Sequence, residues 1–209
     1  MKTIVINAGP KKRGFNAEIA ESALKGAQSV GAEVEYIDLY RLKFTGCMTC
    51  LICKKEGFEN CKCYLRDDLS PLIEKIFDAD ALLISAPIFF SAPTSHYMAL
   101  LERLIYCMVS YKVGNAFKGK VNVGLFYIIN YPKDYFEESI RPHLKKSEDI
   151  LKMLNGEVEI YSASNISKND YSKNTEEGKK IVEEKEKQQA IDLDKAFEIG
   201  AKLSNNALN

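Results

Sequence analysis

The sequence predicts an α/β fold in which a five-stranded parallel sheet carries helices on both faces. Three observations predict it. Short, almost wholly apolar runs recur, as in ALLISAP at 81–87 and VNVGLFYII at 121–129; a strand without a polar face is buried on both sides, as in a parallel sheet. Segments with apolar residues at helical spacing lie between these runs. The two kinds of segment alternate along the chain, as parallel strands joined by crossover helices demand.

The elements follow in order. TIVINA (3–8) is a β-branched apolar run, the first strand. NAEIAESALKGAQSVG (16–31) reads as a helix with Asn16 as its N-cap and Gly31 as its stop. EVEYIDLY (33–40) alternates and gives the second strand. DDLSPLIEKIFDAD (67–80) is a helix with Asp67 or Asp68 near its N-terminus, where the helix dipole favours acids. The third strand, 81–87, leads to TSHYMALLERLIYCM (94–108), where Tyr97, Leu100, Leu101, Leu104, Ile105 and Met108 fall on one helical face. After the fourth strand (120–130), residues 134–155 form a helix disturbed at Pro142. EVEIYSA (157–163) is the fifth strand, and 174–206 is mostly helix. The polar stretch 165–180 reads as a mobile loop entering that helix, and Tyr171 within it as a residue able to cover a neighbour's site. There is no repeat or linker, so residues 1–209 are expected to form one domain with a cysteine-rich insertion at 47–63 and a helical tail from about 174 to 206.

Apolar residues make up 46% of the 209 and charged residues 28%, with 29 Lys plus Arg against 29 Asp plus Glu. This balance gives no electrostatic footprint for nucleic acid or an anionic membrane. The opening MKTIVINAG lacks the features of a signal peptide, and no segment approaches a membrane span, so the expected home is the cytoplasm. Cysteines there are kept reduced, and clustered ones favour metal or redox chemistry.

Ligands of open α/β sheets bind at the carboxyl ends of the strands. The loop after the first strand, AGPKKRGFN, offers Gly9 and Gly14 for close backbone approach, with Pro10 between strand and cations Lys11, Lys12 and Arg13, and Asn16 at a helix N-terminus. That is an anion site. It is neither the dinucleotide fingerprint nor a triphosphatase loop, and it suits a phosphate monoester. The loop after the third strand, APIFFSAPT (86–94), is stiffened by Pro87 and Pro93 and holds Ile88, Phe89, Phe90 and Ser91. Aromatics on a rigid loop suit a flat ring, though core or dimer packing would also use them. A phosphate loop beside an aromatic wall points to FMN. Asn130, Tyr131 and Pro132 end the fourth strand on the same rim and are placed to line the ring edge; His96 begins the helix beside the second loop.

Five of the six cysteines fall within CMTCLICKKEGFENCKC (47–63). Cys47, Cys50 and Cys53 give C-x2-C-x2-C, the compact spacing of cluster loops, with Cys61 or Cys63 as a fourth ligand. A four-thiolate zinc staple, or a thiol pair with no metal, answers to the same residues. Cys107 sits in the apolar period of a helix and reads as an ordinary buried cysteine.

GPKKRGFN, CMTCLIC…CKCYLRDD, ADALLISAPIFFSAPTSHYMALLERL and NDYSK…DLDKAFEIGAKL resemble the NADPH-dependent FMN reductases, and among them the iron–sulfur flavoproteins. The resemblance covers most of the chain and is most specific from Cys47 to Arg103. It implies a flavodoxin-like, doubly wound fold, FMN, a [4Fe–4S] cluster, NADH or NADPH as co-substrate, and a homodimer or homotetramer. Electrons would leave to a small acceptor such as a quinone, or singly through the cluster to a partner. A carrier without its own hydride step, or a zinc-stapled non-enzymatic module, is the alternative. The chain departs from the family pattern: Gly9 stands where a serine is usual, Lys11 where an arginine is, and Phe89 where a tyrosine is. The fourth-ligand position before the Asp67–Asp68 pair matches Cys63, whereas the usual spacing points to Cys61. Glu102 and Arg103 read as a structural pair.

Overall fold

The computed structural model describes residues 1–56, 61–164 and 175–205. Tyr171 and most of the polar stretch at 165–180 lie outside the described residues. Five parallel strands form the sheet: β1 (Lys2–Asn7), β2 (Glu33–Asp38), β3 (Ala81–Phe89), β7 (Val121–Ile129) and β8 (Asn155–Ser164), in the spatial order β2-β1-β3-β7-β8. This is the doubly wound, flavodoxin-like order, with the switch point between β1 and β3. Three two-residue strands complete the list. β4 (Ala92–Pro93) folds back antiparallel on β3, and β5 (Val109–Ser110) pairs with β6 (Gly114–Asn115).

Side chains alternate across the sheet and feed two cores. Ile4, Ile6, Leu82, Ile84 and Leu125 face one core, closed by α2 (Leu69–Phe77), α3 (Ser95–Met108) and α5 (Arg141–Asp149). Val5, Leu83, Phe126 and Ile128 face the other, closed by α1 (Phe15–Ser29) and α6 (Glu176–Leu203). Helices α1 and α6 touch backbone to backbone: a Cβ on Gly26 would lie 2.0 Å from the Phe197 carbonyl oxygen, and one on Gly200 2.1 Å from that of Ala23.

Two local expectations are corrected. Helix α1 starts at Phe15 with Gly14 (φ 125°) as its N-cap and no side-chain cap, so Asn16 lies inside the first turn. The glycine takes the positive φ that turns the loop into the helix. The second disturbance precedes Pro142: α4 (Lys133–Tyr135) passes through a π turn at Phe136–Ile140, and Pro142 sits in the first turn of α5, where its missing N–H costs nothing. Gly31 ends α1 as expected, with φ 81° and its N–H on Gln28 O. No described helix is long and apolar enough to cross a membrane.

Candidate functional site

The parallel register sets Asn7 at the end of β1 opposite Asp38 of β2 and Ser85 of β3. These polar groups organise the first loop. Asn7 Nδ2 donates to Asp38 Oδ1 (2.9 Å) and to Lys11 O (3.1 Å), while its Oδ1 accepts from Gly9 N (3.0 Å) and Asn16 Nδ2 (2.5 Å). Asn16 Nδ2 also reaches Ser85 Oγ (3.0 Å), and that hydroxyl donates back to Asn16 O (2.9 Å). Thr94 Oγ1 donates to Ala8 O (2.8 Å), joining the second loop to the first. Sequence reading found Asn16 but not Asn7, Ser85, Thr94 or Asp38. Gly9 is required here, because a Cβ would stand 2.7 Å from Asn16 Nδ2.

The clamped loop forms one wall of a cleft of about 350 Å³. Gly9, Pro10, Lys11, Arg13, Gly14 and Asn16 line it, and Pro87, Phe89 and Ile128 face them. The N-terminus of α1 opens here without a side-chain cap, so first-turn N–H groups and two cations are available to an anion. Asn16 Oδ1 is buried without a hydrogen-bond partner. The remaining expected residues fall elsewhere. Ile88 is buried in the core, and Asn130 is exposed at the end of β7. Phe90 (φ 50°) and Ser91 (φ 63°) form the tight turn between β3 and β4, where both central residues must be left-handed. Phe90 is 99% exposed in a conformation that bulky residues avoid. His96 stacks on Tyr40 (centroids 3.7 Å apart) and meets Phe44 edge-on, so it braces the segment leaving β2; burial lowers its pKa.

That segment carries the cysteines. Thr49 (φ 48°) and Leu51 (φ 60°) bend the chain on either side of Cys50, and a short 3-10 turn (Ile52–Lys54) presents Cys53. Cys47, Cys50, Cys53 and Cys63 consequently line one small cavity, together with Cys107 and Arg103. All six thiols are free of disulfides. Cys61 does not line this cavity. Its φ of 59° turns the chain, its N–H bonds Cys107 O (3.1 Å), and its side chain packs on the core, which pushes its thiol pKa up. Among the described residues no three His, Cys, Asp or Glu side chains already stand as a set able to hold a metal ion.

Charged groups of α3 hold the segment. Cys47 N donates to Glu102 Oε2 (3.2 Å), and Gly46 leaves room for that carboxylate. Arg103, with its side chain wholly buried, bonds Asp67 through Nη1 (2.5 Å) and Nη2 (3.0 Å). Glu102 and Arg103 act on separate partners: Glu102 holds Cys47 N, and Arg103 holds Thr45 O (3.2 Å) in the same segment as well as Asp67. Arg103 also donates to Cys63 Sγ from Nε (3.3 Å) and Nη2 (3.1 Å). Cys107 gives a further hydrogen bond; with the Leu65 N–H and Arg103 it holds the Cys63 thiol down to about 5, against the effect of burial. Cys107 is buried as expected, but it has a partner in Cys63.

A model of the NADPH-dependent FMN reductase family matches residues 1–165. An iron–sulfur flavoprotein of Methanocaldococcus jannaschii is 28% identical over 124 residues, 59% of this chain and 62% of that one. One of Methanosarcina thermophila is 28% identical over 126 residues, 60% of this chain and 62% of that one. The chain therefore matches less than two thirds of the length of these curated relatives. Among solved structures, an NAD(P)H:quinone oxidoreductase from Methanothermobacter marburgensis superposes with a TM-score of 0.72 at 18% identity, covering 99% of this chain and 98% of that one. An FMN-dependent NADH-azoreductase of Bacillus anthracis in complex with FMN gives a TM-score of 0.62 at 15% identity, over 98% and 100% of the two chains.

Proposed function

The chain belongs to the NADPH-dependent FMN reductase family, and from that premise we propose that it is an FMN-dependent oxidoreductase that takes electrons from NADH or NADPH. One observation carries the reading: the clamped Gly9–Asn16 loop, with Lys11, Arg13 and the uncapped start of α1, faces the Pro87–Phe89 wall across a single cleft. The residues fit the group. Lys11, Arg13 and the α1 N–H groups would hold the phosphate, Gly9 and Gly14 allow its close approach, and Asn16 Oδ1 is an acceptor still to be used. Pro87 and Phe89 would pack on the ring, with Phe90 and Ser91 at its margin. FMN, when bound, accepts a hydride and releases electrons in pairs or singly. The chain contributes binding, orientation and exclusion of water, and no side chain is assigned as acid or base.

We propose further that Cys47, Cys50, Cys53 and Cys63 hold a [4Fe–4S] cluster, with Cys61 outside the set. The donor chemistry fits: four thiols share one cavity, and a buried guanidinium stabilises one of them as thiolate. A cluster supplies one-electron transfer. The cysteine cavity and the cleft share no lining residue. We propose a homodimer or homotetramer in which the cavity serves a neighbour's cleft, and light scattering on the loaded protein tests it. The acceptor is a small molecule such as a quinone, or a one-electron protein partner.

The decisive experiment is an anaerobic absorption spectrum with FMN, iron, sulfide and zinc assayed on the same sample, followed by addition of NADH or NADPH. Bound FMN that bleaches, with about four irons per chain, is the expected result. FMN without iron removes the cluster; FMN that does not bleach removes the nicotinamide step; a protein that takes up no FMN removes the reading.

A further inference from the structure

The cysteine cavity is asymmetric. Two N–H groups of one guanidinium converge on one sulfur, Arg103 Nε (3.3 Å) and Nη2 (3.1 Å), and Cys107, four residues further along α3, lines the same cavity as Cys63. The guanidinium cannot swing away. Its Nη1 is bound to Asp67 Oδ2 (2.5 Å) and Thr45 O (3.2 Å), and its Nη2 to Asp67 Oδ1 (3.0 Å) and Ser70 Oγ (2.7 Å). Asp67, one residue before the N-cap of α2, is itself anchored by the start of that helix, accepting from Leu69 N (3.2 Å) and Ser70 N (3.3 Å). The donors are therefore aimed at Cys63 before any electron arrives, and they pay no reorganisation cost when one does.

We infer that Arg103 and Cys107 are positioning residues that raise the reduction potential of the centre held by Cys63. The inference rests on the cluster reading above. Adding an electron makes the thiolate sulfurs more negative, and fixed donors in a buried site stabilise the reduced form more than the oxidised one. Because Asp67 offsets the formal charge of Arg103, the effect comes from the direction of the N–H and S–H groups rather than from net charge. A lysine, with one compact ammonium and no fork, does not replace it.

The test is a redox titration of anaerobically purified protein, followed by the electron paramagnetic resonance of the reduced cluster, with iron and sulfide counted on each sample. Arg103→Lys should shift the one-electron equilibrium toward the oxidised form about tenfold, a fall of about 59 mV in midpoint. Cys107→Ala, which removes one donor and little volume, should shift it in the same direction by less. Both midpoints matching the parent, with iron retained, overturns the inference and leaves the cluster reading intact. A parent protein without iron overturns both. If Arg103→Lys does not fold or loses its iron, Cys107→Ala alone decides: a lowered midpoint supports the inference and an unchanged one overturns it.

Discussion

The cleft and the cysteine cavity lie on the same rim of one sheet, yet they are built in different ways. The cleft is shaped mainly by amides and hydroxyls at strand ends and helix starts, with Asn7, Asn16, Ser85 and Thr94 each bonded to a neighbouring loop or strand and one acidic side chain, Asp38, accepting from Asn7. The cavity is shaped by charge, with Glu102, Arg103 and Asp67 carrying a segment that has almost no regular structure. Bonds between amides and hydroxyls define geometry without requiring an ion. A charged frame is steady only while each partner is present, because a buried charge left alone is costly. The first region should therefore tolerate loss of its ligand better than the second tolerates loss of one side chain.

The sharpest way to break the comparison is at the thiols. Cys63→Ser should reduce iron from about four per chain to near zero while FMN content stays unchanged, and Cys61→Ser should leave both as in the parent. Metal and flavin assays on the same preparation read the result; iron lost with Cys61→Ser would reassign the fourth ligand.

Next in size is the charged frame. Asp67→Asn should lower stability by about 3 kcal/mol, because it strands Arg103, measured by denaturant unfolding of the metal-free protein. Burial raises the Asp67 pKa, but hydrogen bonding and attraction from Arg103, with the α2 N–H groups, outweigh it and hold the carboxyl below its usual value. Since the folded pKa is depressed, this stabilisation is complete above the ordinary carboxylate range, near pH 4, and is lost as pH falls through the lower folded value. The gap between parent and variant should accordingly close in acid and not in base.

A smaller effect is expected in the cleft. Gly9→Ala pushes a methyl against Asn16 and Asn7 and should weaken FMN binding about tenfold, or ~1.4 kcal/mol, with iron unaffected; flavin fluorescence during titration of the apoprotein reads it. Smallest is the turn: Phe90→Gly should raise stability by about 1 kcal/mol by relieving the left-handed backbone, while weakening flavin retention. A loss of stability would mean that Phe90 packs on something in the assembled protein.

The order of elements was legible because periodicity is local, and β1, β3, β7 and α3 need only a dozen neighbouring letters. The glycine-containing basic loop after β1, which lines the cleft, is legible for the same reason. What escaped depends on register and on distance in sequence. Ser85 looks like one more small residue in ALLISAP until β3 lies beside β1 and sets it against Asn7. Glu102 and Arg103 are adjacent letters, but neighbours on a helix point about 100° apart and do not face each other. The true partner of Arg103 is 36 residues away. Cys61 and Cys63 cannot be ranked by spacing alone; the backbone turn at Cys61 separates them. The cap of α1 was misplaced because Gly14, a poor helix residue, supplies the turn that an asparagine side chain was expected to supply.

Helix α6 lies beyond the part of the chain that the family model matches, and it meets α1 through peptide planes at Gly26 and Gly200. Around that contact Ser22 Oγ donates to Leu193 O (2.7 Å), and Ile19 and Ala23 share a core with Ala196 and Ile199. The contact acts as a ratchet pawl, fixing α1 against both rotation and axial slip. Because the first turn of α1 forms one wall of the cleft, the last helix of the chain governs how far that wall can breathe, from the far end of α1.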